Sequence, residues 1–321
     1  MMVKFGALKA RIDRDAEGGI LKISQEVYIR TIIERFGTHG ITEFESPAYA
    51  EGVNSKIEDG ECASTPKEVA DLHAKYPFYE AIGCLWWAAN ISQPVIFPAV
   101  QRCAQYIACP SDKLWLQILR IFGYLKKFPG EGLIFQRHEL SDSNFSETEF
   151  LKGQPNKSKT KVPLVNAWVD SSLMDARKGM STLGQFSMFL GNPIDWKSSC
   201  STRVAESSAE AETMAVVLWA RENAWLRNLI FDIWGIDISI PTPLLNSNKD
   251  FTIMVGEDNA AAIAMSEGKQ SSKTKYFSRD WYKVVDRIKH GEFALFKVPT
   301  EDNLADFFTK PLKTPRFQFP K

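Results

Sequence analysis

The stretch Ser207 to Gly235, SSAEAETMAVVLWARENAWLRNLIFDIWG, reads as one long helix with a carboxylate in an awkward place. Ser207 is placed to cap its start, and Glu210 follows at the capping-box spacing. At about 100° per residue, Glu212 shares a face with Ala215, Val216, Trp219, Leu226 and Ile230, whereas Glu210 points almost the opposite way. Glu210 therefore has an ordinary structural job. Glu212 lies on the stripe that should face a core, and a buried carboxylate needs a partner, a proton or a cation. On the helix alone two readings stand. Glu212 is a paired or rim-exposed acid favoured by the helix dipole, or it is a functional acid. The acids that the rest of the chain brings near it must decide.

At 321 residues the chain has room for two domains of ordinary size. Lysine plus arginine equals aspartate plus glutamate at 39 each, so nucleic-acid binding would rest on local basic patches. The five cysteines form no CxxC pair and the four histidines are scattered, so no zinc site is readable. Unpatterned cysteines fit a reducing, intracellular compartment. No apolar run approaches a membrane span and Met1-Met2-Val3-Lys4 opens no signal peptide, so no membrane association is expected.

Residues 1–139 read as a mainly helical first domain. Phe5 to Ile23 forms a strand pair around Gly18-Gly19, and Ser24 caps the amphipathic helix QEVYIRTIIERFG. Residues 42–75 read as a long surface loop with at most a turn of helix. Tyr76 to Tyr106 reads as two buried helices broken near Pro94, and Ser111 caps a further helix. Residues 140–162, rich in Ser, Asn, Glu and Lys, form the linker.

Residues 163–321 change to strands. Pro163 to Asp170, Ser181 to Leu190 and Ile194 to Ser199 form a meander, with Gly191-Asn192-Pro193 as a turn. The Ser207 helix follows, then the strand Phe251 to Val255 and a small-residue helix. Tyr276 to His290 reads as a helix, Glu292 to Val298 as a strand, and Asp302 to Lys310 as a short final helix. A long helix after a meander builds the parallel part of a mixed five-stranded sheet flanked by helices, an α/β fold. With strand order 3-2-1-4-5, Asp170 and Asp258 end neighbouring strands, where ligands of such sheets bind. Glu212 and Asp306 would then close a ring of four acids. Four converging carboxylates repel one another unless protons or cations neutralise them. Oxygen-rich sites of this kind hold pairs of Mg²⁺ ions, with Mn²⁺ as a substitute, for in-line attack on phosphates.

These residues also carry a resemblance. VDSSLMDARKGMSTLGQFSMFLGNPIDWKSS, SSAEAETMA, GEDNAAAIA, SSKTK and VPTEDNLADFFTKPL, in that order, resemble the ribonuclease H domain of copia-type retrotransposon polyproteins. ISQEVYIRTIIERFG, YEAIGCLWWAA and LRIFGYLKKFPGEGLIF resemble the reverse transcriptase stretch after its active site, a thumb and connection remnant. The resemblance implies a ribonuclease H-like fold and hydrolysis of the RNA strand of RNA–DNA hybrids. It places the metal-binding, catalytic acids at Asp170, Glu212, Asp258 and Asp306, with Ser208, Asn259, Lys273 and Lys275 on the hybrid-binding surface. It implies two Mg²⁺ ions, an RNA–DNA hybrid as partner, the remainder of a Pol polyprotein, and a cytoplasmic (virus-like particle) or nuclear setting.

Some positions depart from the family pattern. The palm's catalytic aspartates are expected upstream of Met1, so polymerase activity is not expected of this stretch. Ser92-Gln93-Pro94-Val95 replaces a threonine-arginine-proline-aspartate element, Tyr276 and Tyr282 replace two histidines, and VPTED carries no histidine. Such losses suit a rival reading, a catalytically inactive nucleic-acid-binding remnant. A polynucleotidyl transferase shares the fold type but puts its glutamate last, whereas the glutamate here is second.

Overall fold

The computed structural model describes residues 2–5, 9–15, 19–48, 57, 59–136, 165–234, 253–266 and 279–310. The linker 140–162, Lys273 and Lys275 lie outside the described residues. The chain divides into two compact units. One comprises Met1–Arg137, Ala176–Gly179 and Lys310–Lys321, the other His138–Asp175 and Met180–Thr309.

In the first unit, β1 (Met2–Phe5), β2 (Ala10–Asp15), β3 (Ile20–Ser24) and β4 (Gly132–Gln136) form an antiparallel sheet in that order. The helices are α1 (Glu26–Phe36), α2 (Pro66–Lys75), α3 (Phe78–Ile91), α4 (Phe97–Ala104) and α5 (Asp112–Lys127). This unit is therefore helices plus a sheet. The strand pair becomes a meander whose fourth strand arrives from the far end of the unit. Ser24 belongs to β3, and Gln25 stands at the N-cap of α1 without a side-chain cap bond. Among the described residues of 42–75, more than one turn is helical. Thr65 and Glu68 close a full capping box that starts α2. Phe44 N–H donates to the Gly123 carbonyl at 3.3 Å, and Lys126 Nζ donates to the Ile41 carbonyl at 3.0 Å. Ser111 caps α5 by accepting from Leu114 N–H at 3.1 Å. Ile29, Ile32, Phe78, Leu85, Val100, Leu114, Ile118 and Phe122 fill the core. Ser92 and Gln93 serve structure here. The Ser92 hydroxyl donates to Gln25 Oε1 at 3.0 Å, and Gln93 Nε2 donates to the Glu131 carbonyl at 2.8 Å.

The second unit contains β5 (Val165–Ser172), β6 (Thr182–Phe189), β7 (Asn192–Cys200), β8 (Ile253–Glu257) and β9 (Phe293–Lys297). They form one mixed sheet in the order β7-β6-β5-β8-β9, which is 3-2-1-4-5 by sequence. The first three are antiparallel, while β5–β8 and β8–β9 are parallel. The helices are α6 (Ser208–Glu222), α7 (Ala224–Trp234), α8 (Ala260–Ser266), α9 (Arg279–Lys289) and α10 (Asp306–Thr309). The long helix expected over 207–235 is thus two. Asn223 ends α6, where its backbone N–H and its Nδ2 both bond the Trp219 carbonyl. A short amide side chain competing for backbone partners ends helices in this way.

Alternation along β5 sorts the sheet into two faces. Val165, Ala167 and Val169 join Ile253, Val255, Ala215, Val216 and Trp219 in one buried cluster under α6. Trp219 also donates its indole N–H to the Ser187 hydroxyl at 3.1 Å. On the other face Trp168, Phe186 and Phe308 stack in a row, with centroid separations of 5.9 and 5.7 Å. That row seats α10.

Candidate metal centre

Three elements meet at the carboxyl ends of β5 and β8. Asp170 comes from β5 and is 1% exposed. Its partner across the ladder is Gly184 of β6. A Cβ on Gly184 would lie 2.7 Å from Thr309 Cγ2 and 2.9 Å from the Ala305 carbonyl oxygen. Only glycine lets α10 approach this closely. Two polar side chains fasten α10 there. Buried Asn303 donates from Nδ2 to the Val169 carbonyl at 2.9 Å and accepts from Ala305 N–H at 3.1 Å. The Thr309 hydroxyl donates to Asp170 Oδ2.

Glu212 comes from the other face, in the second turn of α6. Ser207 starts that helix by accepting from Glu210 N–H at 3.2 Å. Glu210 is buried too, but its charge is met by Arg203, and its Oε2 accepts from Glu206 N–H at 2.8 Å. Glu212 Oε2 has no hydrogen-bond partner. Asp258 follows β8 directly and accepts from the Thr300 hydroxyl at 2.8 Å. One carboxylate oxygen from each of Asp170, Glu212 and Asp258 lies within 4.8 Å of the other two.

Asp306 is buried at the first residue of α10 but lies outside this group of three. Thr309, one turn further along α10, donates to the Asp170 carboxylate. Of the surface candidates, Ser208 is exposed at the start of α6. Asn259 is half-buried and caps α8, its Oδ1 accepting from Ala261 N–H at 2.9 Å and Ala262 N–H at 3.3 Å. Lys273 and Lys275 fall outside the described residues.

Glu257, Thr309, Asn303 and Gly184 were not singled out from the sequence. Glu257 carried a readable signal. Extending the strand two residues past Val255 puts Glu257 on the face of Ile253 and Val255. It is fully buried, accepts from Asn259 N–H at 2.8 Å through Oε1, and leaves Oε2 without a partner.

The electrostatics follow from this crowding. Burial pushes the Glu212 carboxyl far up, and the charges of Glu257, Asp170 and Asp258 push it further, while the Ser171 side chain opposes. Burial also raises the Glu257 carboxyl, against the Asn259 N–H bond, with Asp258 and Asp170 adding to the rise and Lys297 opposing it. Two orphaned buried carboxylate oxygens beside an all-oxygen donor set fit a hard divalent cation such as Mg²⁺ or Mn²⁺. Asp170, Glu212 and Asp258 would hold it.

The second unit is thus an α/β fold on a five-stranded mixed sheet, with Asp170 and Asp258 toward the carboxyl ends of two neighbouring strands. Over most of its length the chain is similar to the Pol polyproteins of copia-type retrotransposons. It is 24% identical over 318 residues to the retrovirus-related Pol polyprotein from transposon TNT 1-94 of Nicotiana tabacum, covering 98% of this chain and 21% of that protein. It is 27% identical over 262 residues to the corresponding polyprotein from transposon RE2 of Arabidopsis thaliana, covering 80% of this chain and 16% of the relative. The chain therefore spans about a fifth or less of these relatives. Among solved structures, LC11-RNase H1 in complex with an RNA/DNA hybrid aligns with 45% of this chain and 92% of its own at 14% identity and a TM-score of 0.31. No family model matches the chain. Among the described residues no helix is long and apolar enough to cross a membrane.

Proposed function

We propose that the second unit is a ribonuclease H that hydrolyses the RNA strand of RNA–DNA hybrids as part of a retrotransposon Pol polyprotein. The observation that carries this reading is the convergence of Asp170, Glu212 and Asp258 within 4.8 Å. Two divalent cations bound there would supply an activated water and neutralise the leaving oxygen. Water adds to phosphorus, the bond to the 3′ oxygen breaks, and the products are a 3′-hydroxyl and a 5′-phosphate. The chain's own residues prepare the site. Thr309 holds Asp170, Thr300 holds Asp258, and α6 carries the buried Glu212. Asp306, one turn before Thr309, is the fourth acid we assign to the cation site. A hybrid offers phosphates and 2′-hydroxyls to short polar side chains, a role suited to exposed Ser208. The first unit is the post-palm stretch of the polymerase in this reading.

The test is cleavage of a labelled hybrid by the purified chain in Mg²⁺ and in Mn²⁺, beside Asp258→Asn. Cleavage by the wild type and not by the variant is the expected result. Equal cleavage by both removes these acids from the chemistry. Hybrid binding with no cleavage in either ion points instead to an inactive binding remnant.

A further inference from the structure

Both aspartates of the cluster accept a threonine hydroxyl on one carboxylate oxygen. Thr309 Oγ1 donates to Asp170 Oδ2, and Thr300 Oγ1 donates to Asp258 Oδ2 at 2.8 Å. The two threonines come from separate turns of the segment after β9, and both turns are tied down. Thr300 opens a short turn, Thr300–Asp302, that Asn303 closes by donating its N–H to the Thr300 carbonyl at 3.3 Å. The Asn303 side chain then fastens α10, which carries Thr309, to β5. Glu212 differs, since its Oε2 has no hydrogen-bond partner.

This pinning bears on which cation fits. A carboxylate that holds an ion through both oxygens must turn its whole O–C–O edge toward it. A hydroxyl bonded to one oxygen engages one of its lone pairs and resists that rotation. Ca²⁺ takes about 6–8 oxygens in flexible geometry and readily accepts both oxygens of a carboxylate, whereas Mg²⁺ demands near-octahedral geometry and keeps several waters. We propose that Thr300 and Thr309 set the cation preference of the site. By engaging Asp258 Oδ2 and Asp170 Oδ2 they hold both aspartates to ligation through one oxygen each, which suits Mg²⁺ and disfavours Ca²⁺. They are positioning residues that act through the aspartates. The inference rests on the reading of the cluster as a cation site.

The test uses the full chain with Mn²⁺ as the probe, its free fraction read by electron paramagnetic resonance, while Mg²⁺ or Ca²⁺ is titrated against it. Thr300 is the position of choice because it is exposed, whereas Thr309 is buried and its loss also weakens the fold. Thr300→Val removes the hydroxyl at nearly constant volume. It should strengthen Ca²⁺ relative to Mg²⁺ as a competitor by about fivefold, about 1 kcal/mol. Thr300→Ser keeps the hydroxyl and should retain the wild-type ratio. If Thr300→Val leaves the ratio unchanged, Thr300 only shapes its turn, and the inference falls while the cation reading stands. If Thr300→Ser shifts the ratio as far as Thr300→Val, the hydroxyl is not responsible and the inference also falls. If the wild type binds no Mn²⁺, the cation reading fails and takes the inference with it.

Discussion

Alanine at Gly184 would place one methyl group where α10 lies closest to β6. Its Cβ would meet Thr309 Cγ2 at 2.7 Å, the Ala305 carbonyl oxygen at 2.9 Å and Phe308 Cβ at 3.1 Å, all inside the 3.4 Å where ordinary contact begins. The Ala305 oxygen is backbone, and Phe308 Cβ moves only with it. No rotamer change can relieve them, so α10 itself must withdraw. Overpacking of this kind costs about 1–3 kcal/mol. For a unit of this size that corresponds to roughly 3–10 °C in melting temperature. Because α10 carries Thr309 and Asp306, the same displacement should release Asp170 and weaken hybrid cleavage. Gly256→Ala is the control, since its Cβ would meet only side-chain atoms of Trp168, Val298 and Phe296 at 3.0, 3.0 and 3.4 Å. Those side chains can give way, so its loss should be smaller. The assay is differential scanning calorimetry with parallel cleavage rates. If Gly184→Ala melts no lower than Gly256→Ala and cleaves at the wild-type rate, the close seating of α10 does not shape the site.

Thr309→Val removes the hydroxyl that Asp170 accepts from, at nearly constant volume. Leaving a buried acceptor short of a donor costs about 1–3 kcal/mol, so urea midpoints should fall, and Thr309→Ser should restore them. In chelator, stability should decline as pH rises. The folded chain raises the Glu257 carboxyl from 4.5 to about 8 and the Glu212 carboxyl from 4.5 to about 10, so it binds protons that the unfolded chain releases. That stability is whole below about pH 4.5 and is lost as pH rises through the folded values, by at most about 1.4 kcal/mol per pH unit for each group. Melts between pH 5 and pH 8 on the scale of these shifts should show it, and saturating Mg²⁺ should flatten it; a melting point that climbs with pH in chelator contradicts the buried-acid account. Trp219→Ala empties the centre of the α6 core and strands the Ser187 hydroxyl, so chemical denaturation should register a loss of about 3–5 kcal/mol.

Much of the second unit was legible in its residues. Strand alternation and the Ser207 cap are local signals, and β5 to β9 follow from them within a few residues, although the turn expected over Gly191-Asn192-Pro193 falls on Leu190-Gly191, with Asn192 and Pro193 already paired in β7. The strand order followed from the meander and one crossover helix. The face argument for Glu212 also needed only the helical period. In the first unit, α2 was missed although Thr65 and Glu68 carry a capping box, because the surrounding Gly and Pro suggested a loop. The single helix read over 207–235 ignored Asn223, whose side chain ends α6 on its own backbone. At the site, stopping the strand at Val255 hid Glu257. One more alternation would have put a carboxylate on the core face.

By itself, then, the sequence determined the elements, their order and which side of each strand or helix is apolar, because those depend on neighbours a few residues apart. Only the tertiary structure decided which acids meet. The Asp170 carboxylate receives a hydrogen bond from Thr309, 139 residues away. That bond exists because Gly184 leaves room for it and Asn303 ties α10 to β5. The same packing leaves Asp306 outside the group of three and closes Glu257 off from water. No local period encodes such approaches. They are set by how closely two faces of one sheet can be covered.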